Sequence, residues 1–236
     1  MARGMTAARR TGWSLAAGWW LAMAGLCSCS SQGPPAATQP ATRPAKLSAG
    51  PWRALFDGKT LTGWKTPDWG GSGDVTVEEG TVHMEMGVGC TGITYTGQIP
   101  RDNYEIELEA MRIDGSDFFC GLTFPVGADP ITLIVGGWGG TTVGLSCLDG
   151  NDASENETTQ DILFELDQWY HVRARVTGER IEAFLDGNQI ISVARKGRKI
   201  SIRPEVDLSM PLGIAMWQTR GAVRKIRIRE LKPPGR

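Results

Sequence analysis

The sequence predicts an all-β domain in which two antiparallel sheets pack face to face as a sandwich. Short segments with alternating apolar and polar residues recur along the chain, which is typical of half-buried strands. Turn-forming sequences separate these segments, and the chain contains 31 glycines. Beyond the N-terminal segment, no run has the period of an amphipathic helix. These observations favour a single sandwich domain.

The individual strands follow from this alternation. Between residues 104 and 110 apolar and acidic side chains alternate, which predicts a strand with Tyr104, Ile106 and Leu108 on its buried face. Two successive hairpins are predicted further along, and other strands toward both ends of the domain. The corresponding segments are 77–82 (a strand, turn and strand), 171–176, 180–185, 189–193, 212–217 and 223–231.

The N-terminal segment has the three parts of a bacterial secretion signal. Arginines precede an apolar stretch at residues 13–26, and small residues follow it. The sequence Leu26-Cys27-Ser28-Cys29 resembles the lipobox of bacterial lipoproteins, with an aliphatic residue three positions before Cys29. We therefore expect residues 1–29 to be a signal peptide and Cys29 to carry a lipid anchor. The alternative is an ordinary secreted protein whose signal contains two cysteines.

The rest of the chain divides into a tether and a domain. Residues 30–51 are mostly Ser, Gln, Pro, Ala and Thr, a composition that predicts a disordered tether. Residues 52–232 are expected to form the sandwich, exported and held at the membrane in the periplasm or cell envelope. The chain has 25 Lys and Arg against 26 Asp and Glu, so no broad basic field favours nucleic acid as a partner.

The cysteines and histidines exclude several kinds of site. Cys90, Cys120 and Cys147 are widely spaced, which favours buried free thiols, with one disulfide as the alternative. Only His83 and His171 are present, so a His-rich catalytic zinc centre is excluded. The motifs of acyl-transfer elbows and phosphate-binding loops are also missing from the sequence.

Carboxylates are the candidate catalytic groups. Glu105, Glu107 and Glu109 share one strand face at spacings of roughly 7 Å, and Asp117 follows them in the chain. Glycosidases use pairs of carboxylates at comparable separations as acid and base. The alternative is that the three glutamates form a solvated, exposed sheet face.

Two tryptophans are candidates for stacking on sugar rings. Trp69 and Trp138 lie in glycine-rich segments, where no regular packing position requires a large ring. Core packing under a loop is the alternative for both. Four further tryptophans lie beside or within strands and are interpreted as core or sheet-edge residues: Trp52, Trp64, Trp169 and Trp217.

A polar segment offers a candidate calcium site. The oxygen ligands would come from Asp149, Asn151, Asp152 and Glu155. Because the segment lacks the spacing of a known calcium loop, a solvated surface loop is one alternative, and a loop that lines a sugar site next to Trp138 is another.

The segment Leu55-Phe56-Asp57-Gly58-Lys59-Thr60-Leu61-Thr62-Gly63-Trp64 resembles the opening signature of the 3-keto-disaccharide hydrolase domain family. The strand around Glu105, Phe184-Leu185-Asp186-Gly187, and Gln218 with Gly221 extend the resemblance over residues 52–231. It implies a concanavalin A-like jelly roll that acts on keto-oxidised glycosides. It also places Gln218 at the substrate, and this chain departs from the family in having Arg220 where many members carry a histidine shortly after that glutamine.

The sequence thus supports an exported carbohydrate-active domain as the first hypothesis. In it, a carboxylate among Glu105, Glu107, Glu109 and Asp117 removes a proton made acidic by the 3-keto group. Trp69, Trp138, Gln218 and Arg220 would bind the oligosaccharide or glycan. The alternatives are a lectin-like module without catalysis and an envelope adhesion domain.

Overall fold

The structure is a computed structural model that describes residues 47–232. The predicted signal peptide, the lipid-attachment residue Cys29 and most of the predicted tether lie outside the described residues. Across residues 47–232 no helix is long and apolar enough to cross a membrane.

The domain is a sandwich of two antiparallel sheets, as the alternating pattern predicts. The elements are β1 (Ser48–Ala49), β2 (Arg53–Ala54), β3 (Trp64–Lys65), β4 (Val75–Glu78), β5 (Thr81–Met84), β6 (Cys90–Tyr95), β7 (Tyr104–Gly115), β8 (Cys120–Val126), β9 (Asp129–Gly137), β10 (Thr142–Ser146), β11 (Gln160–Asp161), β12 (Trp169–Val176), β13 (Arg180–Leu185), β14 (Asn188–Ala194), a 3-10 helix (Pro204–Ser209), β15 (Gly213–Trp217) and β16 (Thr219–Lys232). The 3-10 helix was not expected from the sequence.

The first sheet has nine strands and is centred on β7. Its order is β14-β13-β12-β7-β16-β5-β4, and β1 and β2 pair with β16. The second sheet has seven strands in the order β11-β10-β9-β8-β15-β6-β3. The predicted hairpins formed by β4 and β5, by β12 and β13, and by β13 and β14 are all present in the first sheet.

The main core lies between the two sheets. Tyr104, Ile106 and Leu108 of β7 are fully buried there, which confirms the face assigned to them from the alternation. Leu122 of β8 and Leu133 of β9 meet them from the second sheet. Burial of such side chains contributes roughly 1.5–3 kcal/mol each.

A second apolar cluster lies on the outer face of the seven-stranded sheet. Two segments cover this face: residues 147–159 and the 3-10 helix. They approach closely because glycine occupies the sheet beneath them. A Cβ atom at Gly144 would lie 2.7 Å from the carbonyl oxygen of Ala153, and one at Gly213 would lie 2.6 Å from that of Ser209.

The three cysteines of the domain are unpaired thiols. Burial is the main cause that raises the pKa of Cys90 and of Cys120 to about 12. Cys147 is only half-buried, so the expectation of three buried thiols is correct for two of them.

Candidate functional site

A cavity of about 200 Å³ lies on the outer face of the seven-stranded sheet. Thr132 and Ile134 of β9 and Ser146 of β10 line it from the sheet, and Val206 of the 3-10 helix lines it from above. A buried water needs only about 10–15 Å³ on the same measure. The cavity is therefore large enough for an organic ligand.

Asp117 lines this cavity from the connection between β7 and β8. Its Oδ1 accepts the backbone N–H of Phe118 at 2.7 Å, and the backbone N–H of Trp138 also points to the carboxylate. Burial raises the pKa of Asp117 above its ordinary value, although these hydrogen bonds and the charge of Arg112 act in the opposite direction. The side chain is therefore a carboxylate with increased basicity at the wall of a cavity.

Trp138 extends from the turn that follows β9. Its backbone has a φ of 46°, it is flanked by two glycines on each side, and 41% of the residue is exposed. The buried guanidinium of Arg112 holds this turn, because its Nη2 donates to the carbonyl oxygens of Gly136 at 3.0 Å and Gly140 at 2.8 Å. Arg112 therefore fixes the position of an aromatic ring at the cavity.

A charged cluster forms another part of the wall. Arg203 donates to Asp152 and to Glu205, with both N–O distances at 2.7 Å. The hydrogen bond from Arg203 is the main cause that lowers the pKa of Glu205. Glu205 is therefore held as a carboxylate and is poorly suited to donate a proton. The pKa of Asp117, by contrast, is raised.

The apolar side of the cavity continues into an aromatic cluster. Phe118 and Trp217 line the cavity, and Trp69 packs against the same cluster of buried residues. The indole Nε1 of Trp69 is buried and has no hydrogen-bond partner within residues 47–232. The structure thus brings Asp117, Trp138 and Trp69 to one region.

The three glutamates predicted as catalytic candidates lie elsewhere, on the outer face of the nine-stranded sheet. We call Glu105, Glu107 and Glu109 the glutamate ladder. Their side chains are 0%, 5% and 20% exposed, so the picture of a fully solvated acidic face does not describe them.

Each member of the glutamate ladder is bound to cations of the neighbouring strands. The Nε of Arg175 lies 2.6 Å from Glu105, which also accepts from Arg229. Glu107 accepts from Arg227 at 2.6 Å. The register of β12 and β16 against β7 places each of these arginines directly opposite the glutamate that it binds.

Three further contacts complete the ladder. The His171 Nε2 atom lies 3.3 Å from Glu107. Glu109 accepts from Arg224 at 2.6 Å and from Lys225 at 2.8 Å. Burial alone would raise the pKa of Glu109, but these hydrogen bonds hold it below its ordinary value. The ladder is thus an ion-pair network.

Two tryptophans that were assigned from the sequence to the core or a sheet edge pack against the arginines of this network. Trp169 stacks under Arg224, whose Cζ lies 4.0 Å from the ring centroid, and Trp52 stacks under Arg229 at 4.3 Å. Trp64 is buried in the main core, as expected.

Gln218 and Arg220 do not lie together. The side chain of Gln218 donates to the carbonyl oxygen of Val88 at 2.8 Å, next to Trp217 at the cavity. Arg220 belongs to β16 and pairs with Glu85 at 3.1 Å on the other sheet. Gln218 is therefore near the aromatic cluster, and Arg220 is not among the residues that line the cavity.

The proposed calcium ligands are paired with protein groups. Asp149 binds Arg198 and the backbone N–H of Lys199, and Asp152 binds Arg203. Asn151 and Glu155 are exposed. Within residues 47–232, no three acidic, histidine or cysteine side chains are grouped as metal ligands.

Comparison with known proteins identifies the family. Residues 51–229 match the model of the 3-keto-alpha-glucoside-1,2-lyase-like domain. The chain belongs to this family. The match confirms the resemblance detected in the opening signature around Trp64. No curated protein sequence matches the chain.

Solved structures share the fold of this lyase-like domain at low sequence identity. A protein of unknown function with a galectin-like fold from Bacillus subtilis aligns with a TM-score of 0.56 at 9% identity, covering 80% of this chain and 100% of that chain. The Crh5 transglycosylase in complex with NAG has a TM-score of 0.51 at 11% identity and coverages of 81% and 88%. The carbohydrate binding module CBM66 from Bacillus subtilis has a TM-score of 0.47 at 14% identity and coverages of 70% and 93%. The first two confirm the jelly-roll fold.

Several cavity residues of the lyase-like domain were missed by sequence reasoning. Trp217 was interpreted as a core or edge residue because it ends a strand, but it lines the cavity. Arg203 and Glu205 precede and begin the 3-10 helix, which carries no periodic signal. The sequence contains one indication of a rigid turn at this position, which is that Arg203 and Glu205 flank Pro204.

Proposed function

We propose that this domain cleaves 3-keto-glycosides by elimination, with Asp117 as the general base in the cavity on the seven-stranded sheet. Membership of the 3-keto-alpha-glucoside-1,2-lyase-like family supports this substrate class. One observation supports Asp117 as the base. Its carboxylate is partly buried, has a raised pKa, and lies beside the exposed ring of Trp138 in a cavity large enough for an organic ligand.

The chemistry requires one well-placed base. A ketone at C3 makes the C2 proton acidic, and the Asp117 carboxylate removes that proton while the C2–H electrons form an enolate with the C3 oxygen. The enolate then re-forms the ketone, a double bond forms between C1 and C2, and the C1–O bond breaks. The leaving oxygen takes a proton from water, and the hydroxide left behind takes the proton from Asp117, which restores the carboxylate. Addition of water to the resulting double bond gives the free 3-keto sugar.

The other cavity groups suit the same reaction. Arg203 presents a guanidinium at the wall and Ser146 a hydroxyl group, which suit the stabilisation of a developing enolate oxygen, whereas the Thr132 hydroxyl is hydrogen-bonded to that of Thr123. Trp138 offers a flat apolar surface to the sugar ring. The fold neighbour Crh5 transglycosylase, which was solved with NAG, adds support for a carbohydrate ligand.

The glutamate ladder is a weaker candidate for this role. Glu105 and Glu107 already accept hydrogen bonds from arginine, and they lie on the other sheet from the cavity. A base that must collect a proton from substrate needs an accessible oxygen. Asp117 is half-buried and lines open space, so it meets this requirement better.

Substitution of Asp117 tests the proposal. We expect Asp117→Asn to lower kcat on a 3-keto-α-glucoside by about 10²–10⁴-fold, the usual contribution of a general base. Asparagine keeps an oxygen acceptor for the Phe118 N–H. The matched control is Asp114→Asn, because Asp114 is exposed, lies at the end of β7 and also accepts a neighbouring backbone N–H. Equal activity of both variants would remove Asp117 from the mechanism.

A glycan-binding module without catalysis is the second candidate, and the 41% exposure of Trp138 favours it. Calorimetry with the same 3-keto-glucoside separates the two functions. Binding by the wild type with no turnover would support the module. Turnover by the wild type, together with binding but no turnover by Asp117→Asn, would support the enzyme.

We also propose that the domain is exported and anchored by lipid at Cys29. The support is the signal-like segment and the lipobox of the sequence. Metabolic labelling with a radioactive fatty acid should mark the wild type and not Cys29→Ala. Labelling of both proteins, or of neither, would contradict the anchor.

A further inference from the structure

The outer face of the nine-stranded sheet carries more cations than the glutamate ladder can neutralise. We call this surface the basic face. Its cations are Arg173, Arg175, Arg180, Arg224, Lys225, Arg227 and Arg229, and its carboxylates are Glu105, Glu107, Glu109 and Glu182, with Glu78 on the edge strand β4. The chain as a whole has a net charge of −1, so this excess is local.

Burial increases the imbalance that a partner would meet. The side chains of Glu105 and Glu107 are 0% and 5% exposed, whereas those of Lys225 and Arg227 are 63% and 48% exposed. The carboxylates therefore lie beneath the cations, and the charge presented to solvent is positive. Buried pairing also holds several arginine side chains in place, which reduces the entropy lost when they bind a partner.

Two cations of the basic face have no acidic partner among residues 47–232. Arg173 stacks over Phe184 with its Cζ at 4.2 Å from the ring centroid, and its Nε is buried without a hydrogen bond. Arg180 binds only the hydroxyl and carbonyl oxygens of Ser192. These guanidinium groups remain available to oxygen acceptors from outside the protein.

The place where the chain enters the domain identifies the most suitable partner. β1 (Ser48–Ala49) pairs with β16 in the nine-stranded sheet, so the chain joins the domain at the sheet that carries the basic face. Eighteen residues separate Cys29 from Ser48. With the tether that its composition predicts, this length would span roughly 25 Å, so the lipid anchor proposed above at Cys29 would keep the sheet close to the bilayer.

We propose that the basic face docks onto anionic phospholipid headgroups. In this orientation the cavity, which lies on the outer face of the opposite sheet, is directed away from the membrane and toward soluble glycosides. Electrostatic attraction of this kind falls off within a Debye length, so contact and low salt strengthen it.

Vesicle sedimentation tests the proposal with the full-length Cys29→Ala chain, which cannot be acylated at that residue. We expect tighter binding to vesicles of phosphatidylglycerol and phosphatidylcholine than to phosphatidylcholine alone, and loss of this preference at high salt. Each cation near such a surface raises the binding affinity about fivefold, so removing three should weaken the binding about 100-fold.

The test variant carries Arg173→Gln, Arg180→Gln and Lys225→Gln. None of these changes leaves a buried carboxylate unpaired, because Glu109 keeps Arg224. The control variant has the same change in net charge at Lys59, Lys65 and Lys199, of which Lys65 lies on the seven-stranded sheet and the others in exposed loops. If the triple variant of the basic face unfolds, Lys225→Gln alone should still weaken binding about fivefold.

The outcomes are distinct. A large loss for the basic-face variant and little loss for the control variant support the proposal. Equal losses would mean that net charge matters and the face does not. The proposal is overturned if the protein binds anionic and neutral vesicles equally well. It is also overturned if the protein shows no preference for anionic vesicles but binds an acidic polysaccharide such as alginate through this face. None of these results depends on turnover of a 3-keto-glucoside.

Discussion

Removing the carboxylate of Glu105 should destabilise the protein strongly without affecting the chemistry. Glu105 is fully buried and pairs with Arg175 and Arg229, so Glu105→Ala leaves Arg229 without a carboxylate and Arg175 with only the longer contact to Glu182 at 3.6 Å. Breaking a buried ion pair on one side costs about 3–5 kcal/mol. For a domain of this size, that corresponds to a fall in Tm of roughly 6–20 °C.

Glu109 provides the internal comparison. Its side chain is 20% exposed and its partners Arg224 and Lys225 reach solvent, so solvent screening limits the expected cost of Glu109→Ala to about 1 kcal/mol or less. The two variants differ in burial and share chemistry, strand and face. Urea unfolding at pH 7, followed by tryptophan fluorescence, measures both free energies on one scale.

The reasoning fails under either of two results. One is a similar, small destabilisation for Glu105→Ala and Glu109→Ala, which would mean that burial of the ladder does not govern its energetics. The other is loss of 3-keto-glucoside turnover in Glu105→Ala under conditions in which circular dichroism shows the variant fully folded. That result would return the glutamate ladder to the active site.

Three further predictions concern the cavity and its cover. Burial raises the pKa of Asp117, so ionisation of this carboxyl destabilises the folded state as the pH rises through that pKa. Asp117→Asn should therefore be more thermostable than the wild type at pH 7 but not at pH 3. A lower Tm of the variant at pH 7, measured by calorimetry, would contradict this. Arg112→Met removes the donor that joins two carbonyls of the Trp138 turn, so KM for the 3-keto-glucoside should rise about tenfold with a smaller change in kcat, and an unchanged KM would refute the positioning role. Gly213→Ala places a methyl group against the backbone of Ser209 and should cost about 1–3 kcal/mol in urea unfolding, whereas a neutral effect would mean that the 3-10 helix moves freely.

The strands could be predicted from the sequence because their signal is local. A period of two is visible within six or seven residues, and it correctly assigned Tyr104, Ile106 and Leu108 to the core. The same pattern could not say what lies beside the outward residues. That depends on the register of β7 with β12 and β16, which places Arg175 and Arg229 opposite Glu105.

A partial signal for the ion-pair network was nevertheless present. Arginines alternate at residues 173 and 175 and again at 227 and 229, in two other predicted strands. Alternating cations in neighbours of an acidic strand indicate cross-strand pairing. Without the order of strands in the sheet, a catalytic carboxylate pair and an ion-pair network could not be distinguished.

The cavity was the harder feature to predict because its residues are distant in sequence. Asp117, Trp138, Arg203 and Trp217 come from four connections or strand ends that only the folded sandwich brings together. Trp138 could be selected because its glycine-rich surroundings are unusual for a large ring. The only local signal for Arg203 is its place beside Pro204, and its role becomes clear from its contacts with Asp152 and Glu205.

The fate of the C2 proton tests the central claim most directly. The wild-type protein is incubated with a 3-keto-α-glucoside in heavy water, and the sugar product is examined by proton NMR beside a heat-denatured control. Elimination initiated by Asp117 predicts loss of the C2 proton signal in step with release of the leaving group, and neither event above the control in Asp117→Asn. Release of the leaving group with the original C2 proton retained would contradict the account.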